Sequence, residues 1–363
     1  MDPNKYLKMM VDKNASDLYF KAGSPPVLRV NDRLEMCGDE KLDTADTENI
    51  AKKLIGKEKF EAFLSGKELD AAYSVAGFGR FRMNMYVQRG SVSITLRSIQ
   101  IKVPGFKELN LPVDVMQQLS ACPRGLILIT GHAGSGKSTT LAAMVDYINE
   151  NFSKHIITIE DPIEFLHSDK KSIISQREVY SDTDSFKEAL RHVIRQTPDV
   201  ILIGEMRDVE TMQTAIMAAE TGHLVLSTLH TVDTRQTIER IVNYFPQYMH
   251  GQIRMQFALL FAGIVSMRLV PTADRKGRVP VCEIMLPSPT IKKLIIEGKT
   301  DQIDAAIEDG AIVKMQSFNQ DLMKWHKKGI IDRETALEYA GNPDELRLKF
   351  SEILSGSQTH ERR

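Results

Sequence analysis

The stretch from Gly131 to Ser138, which reads GHAGSGKS, constrains the fold more than any other part of the chain. It follows an apolar run at 126–129, LILI, that predicts a short buried strand, and it leads into a segment with apolar residues at helical spacing. A strand, a glycine-rich loop and a helix in this order are typical of a phosphate-binding loop, because glycines let backbone N–H groups point at phosphate oxygens. The sequence therefore predicts a nucleotide site here.

The residue types of this loop indicate ATP and Mg²⁺ as its ligands. Lys137 can reach the β and γ phosphates, and the Ser138 hydroxyl can ligand the magnesium ion. The alternative, a flexible glycine turn with an incidental lysine, does not explain why both flanking elements fit. The predicted nucleotide-binding residues are Gly131, Gly134, Ser135, Gly136, Lys137, Ser138 and Thr139.

Composition limits the class of protein. The chain has 363 residues, 42% of them hydrophobic and 26% charged, which is ordinary for a globular protein large enough for about two domains. Its net charge of −1 provides no general attraction to nucleic acid, and its three cysteines show no metal-binding spacing. The first residues lack the apolar core of a signal peptide, so we expect a soluble, cytoplasmic protein with reduced thiols.

Two runs between residues 79 and 99 alternate apolar and polar residues with a period of 2. This pattern, with a turn at Arg89 and Gly90, predicts a β-hairpin with one buried and one polar face. Arg80, Arg82 and Arg97 fall on the polar face. From the pattern alone, that face is either simply solvated or directs arginines at a partner's phosphate.

Carboxylates follow two further apolar strands in the second half of the chain. Glu160, Asp161 and Glu164 come after one strand, and Glu205 comes after VILI at 200–203. Acidic residues at the carboxyl ends of parallel strands are well placed for a ligand. Glu205 resembles a Walker B carboxylate, and we predict that it is a metal ligand. Gly204 stands where many P-loop proteins have an aspartate, so Glu205 acts alone or with Asp161.

A third apolar strand in this half is bracketed by His223 and His230. Such histidines are either structural or sense the γ-phosphate. Strands that alternate with helices across 124–246 predict a parallel RecA-like sheet. Further along, Gln252 to Val265 fits a helix, and residues 275–286 fit a hairpin.

Composition shifts divide the chain into four parts. Residues 1–100 predict an α/β domain, and 101–113, with two prolines and a glycine, predict a linker. Residues 114–355 predict the P-loop domain with short C-terminal helices, and 356–363 a disordered tail.

Several motifs in order resemble the secretion-superfamily hexameric ATPases, specifically the type IV pilus retraction motors of the PilT/PilU family. The matching segments are SDLYFKAGSPPVLRVN, GRFRMNMYVQR, GHAGSGKST, TIEDPIEF, ILIGEMRD with ETMQTAIMAAETGHLVLSTLHT, and ERIVNYFP. The resemblance covers nearly the whole chain. It implies a PAS-like N-terminal domain, a RecA-like ATPase domain and a homohexamer that hydrolyses ATP to drive pilus retraction and twitching motility.

The resemblance also implies residue roles. Glu164 would be the general base, Glu205 the Walker B carboxylate, and His223 and His230 the His box. Arg82 and Arg97, with Arg80 as a further candidate, would complete an active site from the N-terminal domain. The implied partners are an inner-membrane pilus platform protein and a PilT-type paralogue, with no nucleic acid, so the protein would be peripheral at the membrane through its partners.

The chain departs from the family pattern in a few segments, and most of them favour the PilU-like, accessory branch. His132 and Ala133 replace a usual proline and threonine in the loop, where a backbone cradle tolerates them. The segment 290–297, TIKKLIIE, stands where the PilT type has AIRNLIRE, a segment needed for retraction, and it lacks both arginines. LVPTADRKGR and the tail YAGNPDELRLKF also lean to the PilU-like branch.

Other functions of a P-loop core remain open from the residues alone. A nucleic-acid translocase would require basic or aromatic pore loops, which the sequence does not show. A small-molecule kinase would require a lid and an acceptor pocket. A nucleotide-gated scaffold would keep the P-loop but would not need Glu164.

Overall fold

The contacts in the computed structural model divide the chain into two compact units. The structure describes residues 2–30, 33–75, 79–99 and 102–360, and of 352–360 only the backbone. The first unit is Met1–Lys102 with Ile163–Leu166, and the second is Val103–Pro162 with His167–Arg363. The segment Ile163–Leu166 thus groups with the first unit, although the sequence prediction assigned all of 114–355 to one domain.

The first unit is built on an antiparallel sheet with helices. The sheet has six strands in the order β3-β2-β1-β6-β5-β4, and each neighbouring pair is antiparallel. This agrees with the predicted α/β N-terminal domain. Its elements are α1 (Pro3–Asp12), β1 (Asp17–Lys21), β2 (Val27–Val30), β3 (Arg33–Met36), α2 (Thr44–Ile55), α3 (Lys57–Gly66), β4 (Glu68–Val75), β5 (Gly79–Gln88) and β6 (Ser91–Ser98).

The predicted hairpin of this unit is present as β5 and β6. Phe81 and Met83 of β5 are fully buried, as is Leu96 of β6, so the apolar set faces the unit's core. Arg82 and Arg97 are direct partners across the two strands and are both exposed. Period-2 alternation fixes this arrangement, because a shift of one residue would turn every apolar side chain outward.

The second unit is built on a sheet of seven strands in the order β13-β12-β7-β11-β10-β8-β9. All neighbouring pairs are parallel except β12 with β13. The predicted parallel RecA-like sheet is therefore confirmed. The strands and their helices are α4 (Val113–Ser120), β7 (Gly125–Thr130), α5 (Lys137–Asn151), β8 (His155–Glu160), β9 (Ile173–Glu178), α6 (Phe186–Val193), β10 (Val200–Ile203), α7 (Val209–Glu220), β11 (Leu224–Leu229), α8 (Thr234–Asn243), α9 (His250–Leu260), β12 (Phe261–Pro271) and β13 (Arg278–Met285).

The predicted helix from Gln252 to Val265 is wrong in its second part. Helix α9 ends at Leu260, and Phe261 begins β12, which pairs in parallel with β7. A short apolar run fits a buried strand and a buried helix equally well, so periodicity does not locate the change. The hairpin predicted within 275–286 is wrong in its bounds, because this stretch contains one strand, β13, which forms a hairpin with the preceding β12.

Short helices follow β13 and complete the C-terminal part. Helix α14 continues to His360, so helix covers residues 356–360 where the sequence predicted a disordered tail, and 361–363 lie outside the described residues. Every helix in the described part of the chain is too short or too polar to span a membrane. These helices are α10 (Pro289–Glu297), α11 (Ile303–Glu308), α12 (Phe318–Lys327), α13 (Arg333–Glu338) and α14 (Pro343–His360).

Candidate functional site

The glycine-rich loop joins β7 to α5, as the sequence predicts. Gly131, Gly134 and Gly136 all have positive φ angles, which a residue with a Cβ adopts at a cost. At Gly131, a Cβ would also collide with the carbonyl oxygen of Met267 and the Ser135 hydroxyl. The loop therefore requires glycine for both its backbone angles and its close packing.

The loop has groups suited to an anionic ligand. Gly136 caps α5 without a side-chain hydrogen bond, and the first turn of the helix contains no acidic residue, so its positive end is not neutralised by a carboxylate. Ser135 Oγ is buried and, among the described residues, has no hydrogen-bond partner. A phosphate oxygen would satisfy such donors, and the residues present therefore fit a nucleotide.

The ammonium group of Lys137 is held over the loop. Its Nζ donates hydrogen bonds to the carbonyl oxygens of Gly131, at 2.8 Å, and of His132, at 2.9 Å. The same Nζ lies 3.5 Å from Nδ1 of His230. Lys137 is only 8% exposed, so its charge is positioned by the loop before any ligand arrives.

His230 links this lysine to the predicted Walker B carboxylate. Its Nε2 lies 3.4 Å from Oε2 of Glu205. Because Lys137 is donor-only, the facing Nδ1 acts as the acceptor and Nε2 carries the hydrogen toward Glu205. The structure thus brings Lys137, His230 and Glu205 together within one unit.

Arg207 is a site residue that the sequence reasoning missed. Its guanidinium lies 2.5 Å from Oε1 of Glu205, whose side chain is only 12% exposed. Glu205 therefore sits between a guanidinium and an imidazole. The sequence feature that could have indicated this residue is its position two residues after Glu205 in ILIGEMRD. A sequence does not show, however, in which direction a loop side chain points.

Strand order explains why these residues meet. β11 lies between β7 and β10, and all three run in parallel, so the P-loop, His230 and Glu205 follow neighbouring strand ends. Thr228 Oγ1 donates to the carbonyl oxygen of Gly204 at 2.7 Å and so ties the two strand ends together. A side chain at Gly204 would be tightly packed, because a Cβ there would lie 3.3 Å from the carbonyl oxygen of Ile159.

Two other predicted residues do not join this cluster within the unit. His223 precedes β11 and bonds through Nδ1 to the Ala218 carbonyl oxygen at 2.9 Å. It lies at the other end of the strand from His230, about 20 Å away at the usual rise per residue. Glu164 is exposed and belongs to the segment Ile163–Leu166, which groups with the first unit.

The arginines of the first unit have different surroundings. Arg97 Nε donates to Asp17 Oδ1 at 2.8 Å, and the Asp17 side chain is 4% exposed. Arg29 also lies 3.5 Å from this carboxylate. Arg82 is exposed directly opposite Arg97. The interpretation of a purely solvated polar face therefore fails for Arg97, which also stabilises a buried charge.

Glu283 of β13 fixes the start of α8, the helix that follows His230. Its Oε1 accepts hydrogen bonds from the backbone N–H and the hydroxyl of Thr234, both at 2.8 Å. Burial raises the pKa of Glu283 to about 7, although the two bonds from Thr234 oppose the shift. This carboxyl therefore titrates near neutral pH.

We expect Glu283→Gln to flatten the pH dependence of stability. The folded pKa of about 7 lies above the ordinary value of 4.5, so the folded state holds the proton of this carboxyl more tightly than the unfolded state. The resulting contribution to the free energy of unfolding is complete below pH 4.5 and is lost as pH rises through 7. The loss between pH 5.5 and 7.5 is about 2 kcal/mol. Urea unfolding of both proteins at these two pH values measures it.

The difference in pH dependence between the unchanged protein and Glu283→Gln reports the contribution of Glu283 alone. Burial lowers the pKa of His167 to about 4, which gives a contribution of the opposite sign, but this contribution is the same in both proteins. Glutamine keeps an oxygen that accepts from Thr234, so the helix start is preserved. Equal pH slopes for the two proteins would contradict the assignment.

Comparisons with known proteins find relatives over nearly the whole chain. The family described as Type II/IV secretion system protein matches residues 80–291, more than half of the chain. The type IV pilus ATPase PilU of Pseudomonas aeruginosa is 41% identical over 96% of this chain and 91% of its own length. The type IV pilus retraction ATPase PilT of the same organism is 40% identical over 95% and 99%. A crystal structure of the pilus retraction motor PilT with ADP superposes with a TM-score of 0.88, at 43% identity, over 96% and 99% of the two chains.

Proposed function

The chain belongs to the Type II/IV secretion system proteins and is a pilus retraction ATPase of the PilT/PilU type, and we propose that it works as a hexameric, PilU-like accessory motor. The observation that carries the enzymatic part is the link from Lys137 through His230 to Glu205. A lysine over the loop and a carboxylate beside it are the groups that ATP hydrolysis requires.

The chain's own residues supply the chemistry as follows. Lys137 binds the phosphates, and the N–H groups of the loop orient them. Glu164 accepts the proton of the attacking water as general base. His230, between Lys137 and Glu205, responds to whether the lysine's charge is engaged by phosphate. Glu205 would hold Mg²⁺ with Ser138, and the ion would neutralise charge on the phosphates.

We assign Arg82 and Arg97 to the same active site. Arginine binds phosphate bidentately and cannot lose its proton, so it suits closure over a nucleotide better than lysine. The support is that both side chains are exposed on adjacent strands, 67% for Arg97. Release of the γ-phosphate would free them and let the N-terminal domain move relative to the RecA-like core.

The accessory role rests on α10. The sequence TIKKLIIE has Lys292 and the 44% exposed Ile296 where AIRNLIRE has arginines. Two arginines on an exposed helix face would provide guanidinium contacts to a partner, and an isoleucine provides none. The identities of 41% and 40% to PilU and PilT do not separate the branches, so this helix carries the distinction.

Pilus retraction in deletion strains tests the accessory role. We expect deletion of this gene to weaken retraction under load, and deletion of the PilT-type paralogue to abolish it even while this protein is present. Pull-down of the paralogue and of the inner-membrane platform protein checks the proposed partners. Full retraction by this protein alone would show an independent motor and contradict the accessory role.

The hexamer gives a separate prediction. We expect light scattering to show six copies per particle with Mg²⁺ and a non-hydrolysable ATP analogue, because ligands that bind only the assembled state shift the equilibrium toward it. Lys137→Ala is the matched control, since it should lose the nucleotide-dependent part of the assembly. A monomer at high protein concentration with the analogue would count against the motor.

A further inference from the structure

The second unit contains a cavity away from the P-loop that the ATPase reaction does not use. Its volume is about 820 Å³, within the range of small-molecule sites. It lies between the start of α4, strand β13, the segment Asp309–Val313 and helices α12 and α14. None of the P-loop residues lines it.

The inner surface of this cavity is apolar. Val115, Ile284, Met315 and Met323 line it, and each is at most 9% exposed. Methionine side chains are flexible and polarisable, so they adapt to flat rings of different shape. The floor is therefore suited to the apolar part of a ligand rather than to a bare ion.

The charged residues around this floor are almost all positive. Four lysines and one carboxylate, Asp114, line the cavity, which gives a formal balance of +3 in a chain whose net charge is −1. Such a concentration of one sign attracts anions. The lysines are Lys314, Lys324, Lys327 and Lys349.

Carboxylates offset two of these lysines. Lys349 pairs with Glu345 and, at 3.4 Å, with Glu308. Lys314 lies 3.6 Å from Asp114. Lys324 instead donates to the side-chain oxygen of Gln316, a neutral amide, and its charge also interacts with the buried carboxyl of Asp321 on the same helix.

Among the described residues, Lys324 and Lys327 are the two lysines of the cavity that form no ion pair with a carboxylate. They lie three residues apart on α12, so they occupy neighbouring positions on one face of the helix, and both are exposed. An anionic group between them would receive two charge-assisted hydrogen bonds. An apolar ring attached to that group would lie on Met315 and Met323.

We propose that this cavity binds a small organic anion: a phosphate or similar group, held by Lys324 and Lys327, joined to an apolar ring. The ligand would lie against the start of α4 and against α12 at once, so it would tie the beginning of the ATPase core to its C-terminal helices. The proposal does not depend on the motor function, because no residue of the nucleotide site contributes to it.

The probe for this site is 1-anilinonaphthalene-8-sulfonate, which joins one anionic group to apolar rings and fluoresces when bound. The full chain is first saturated with Mg²⁺ and a non-hydrolysable ATP analogue, so that the P-loop is filled. Inorganic pyrophosphate then identifies the part of the probe signal that depends on anion binding. We expect Lys324→Gln with Lys327→Gln to weaken this component about tenfold or more, since the change removes both charge-assisted hydrogen bonds to the anion.

The matched control removes two lysines elsewhere. Lys292→Gln with Lys293→Gln on α10 makes the same change of charge and should leave the probe's affinity unchanged. If the double variant on α12 does not fold, Lys327→Gln alone, at an exposed position, should weaken binding by a smaller factor. Unchanged binding in the α12 variants, or an equal loss in the α10 control, would overturn the proposal.

Discussion

Glu164→Gln is expected to bind ATP and magnesium normally and to hydrolyse ATP about 10²- to 10⁴-fold more slowly. The amide is similar in size to the carboxylate but cannot accept the proton of the attacking water. Glu164 is exposed, so the substitution should not disturb folding. Turnover by phosphate release, together with binding of a fluorescent ATP analogue, separates loss of chemistry from loss of affinity.

Three matched variants make this result interpretable. Lys137→Ala should lose nucleotide affinity, because its ammonium is the charge over the loop. Glu205→Gln should also weaken the contacts with Arg207 and His230 and therefore respond to magnesium concentration. Glu160→Gln changes an acid whose Oε1 already accepts from Thr158 at 2.6 Å and should have little effect on turnover. Normal hydrolysis by Glu164→Gln, with Glu205→Gln inactive but able to bind ATP, would place the general base on Glu205.

Arg82→Ala and Arg97→Ala should each lower turnover by about ten- to a thousandfold, the loss typical of removing a group that stabilises transition-state charge. The structure separates the two variants in stability. Arg82 is exposed, so its loss should leave the apo melting temperature unchanged. Arg97 donates to the buried Asp17, and its loss should cost about 1 kcal/mol, reduced by its own exposure.

Asp17→Asn is the control that distinguishes catalysis from stability at Arg97. It weakens the same ion pair but leaves the guanidinium in place, so it should lower the melting temperature and keep most of the turnover. Arg97→Lys should restore part of the stability and little of the turnover, because an ammonium lacks the planar pair of donors. Normal turnover in Arg82→Ala and Arg97→Ala would remove both residues from the active site.

The hairpin and the P-loop were predicted well because their signals are local. Period-2 alternation placed Arg82 and Arg97 on one face, and the structure pairs them directly. Glycines with positive φ fix the loop whatever surrounds it. Strand β12 was missed in part because Phe261 to Val265 is apolar throughout, and only its pairing with β7 makes it a strand.

The residue at the site that sequence reasoning missed is Arg207. Its ion pair with Glu205 depends on how a loop side chain turns, and loop residues have no periodicity from which to read direction. The same limit applies to Arg97, whose contact with Asp17 joins residues 80 positions apart. The cavity between α4, α12 and α14 is likewise lined by segments that are distant in the sequence, so no sequence motif predicts it.

The sequence by itself determined the chemistry available to this protein: a glycine loop that requires glycine, a lysine and a serine at its end, and acids and histidines next to apolar strands. These are properties of residue type and short spacing, which act within a few bonds. The tertiary structure decided which of them meet. Because β11 lies between β7 and β10, His230 reaches both Lys137 and Glu205, whereas His223, bracketing the same strand, lies at its far end. Strand order is set by the burial of whole strands, a free energy summed over many residues, and no single motif contains it.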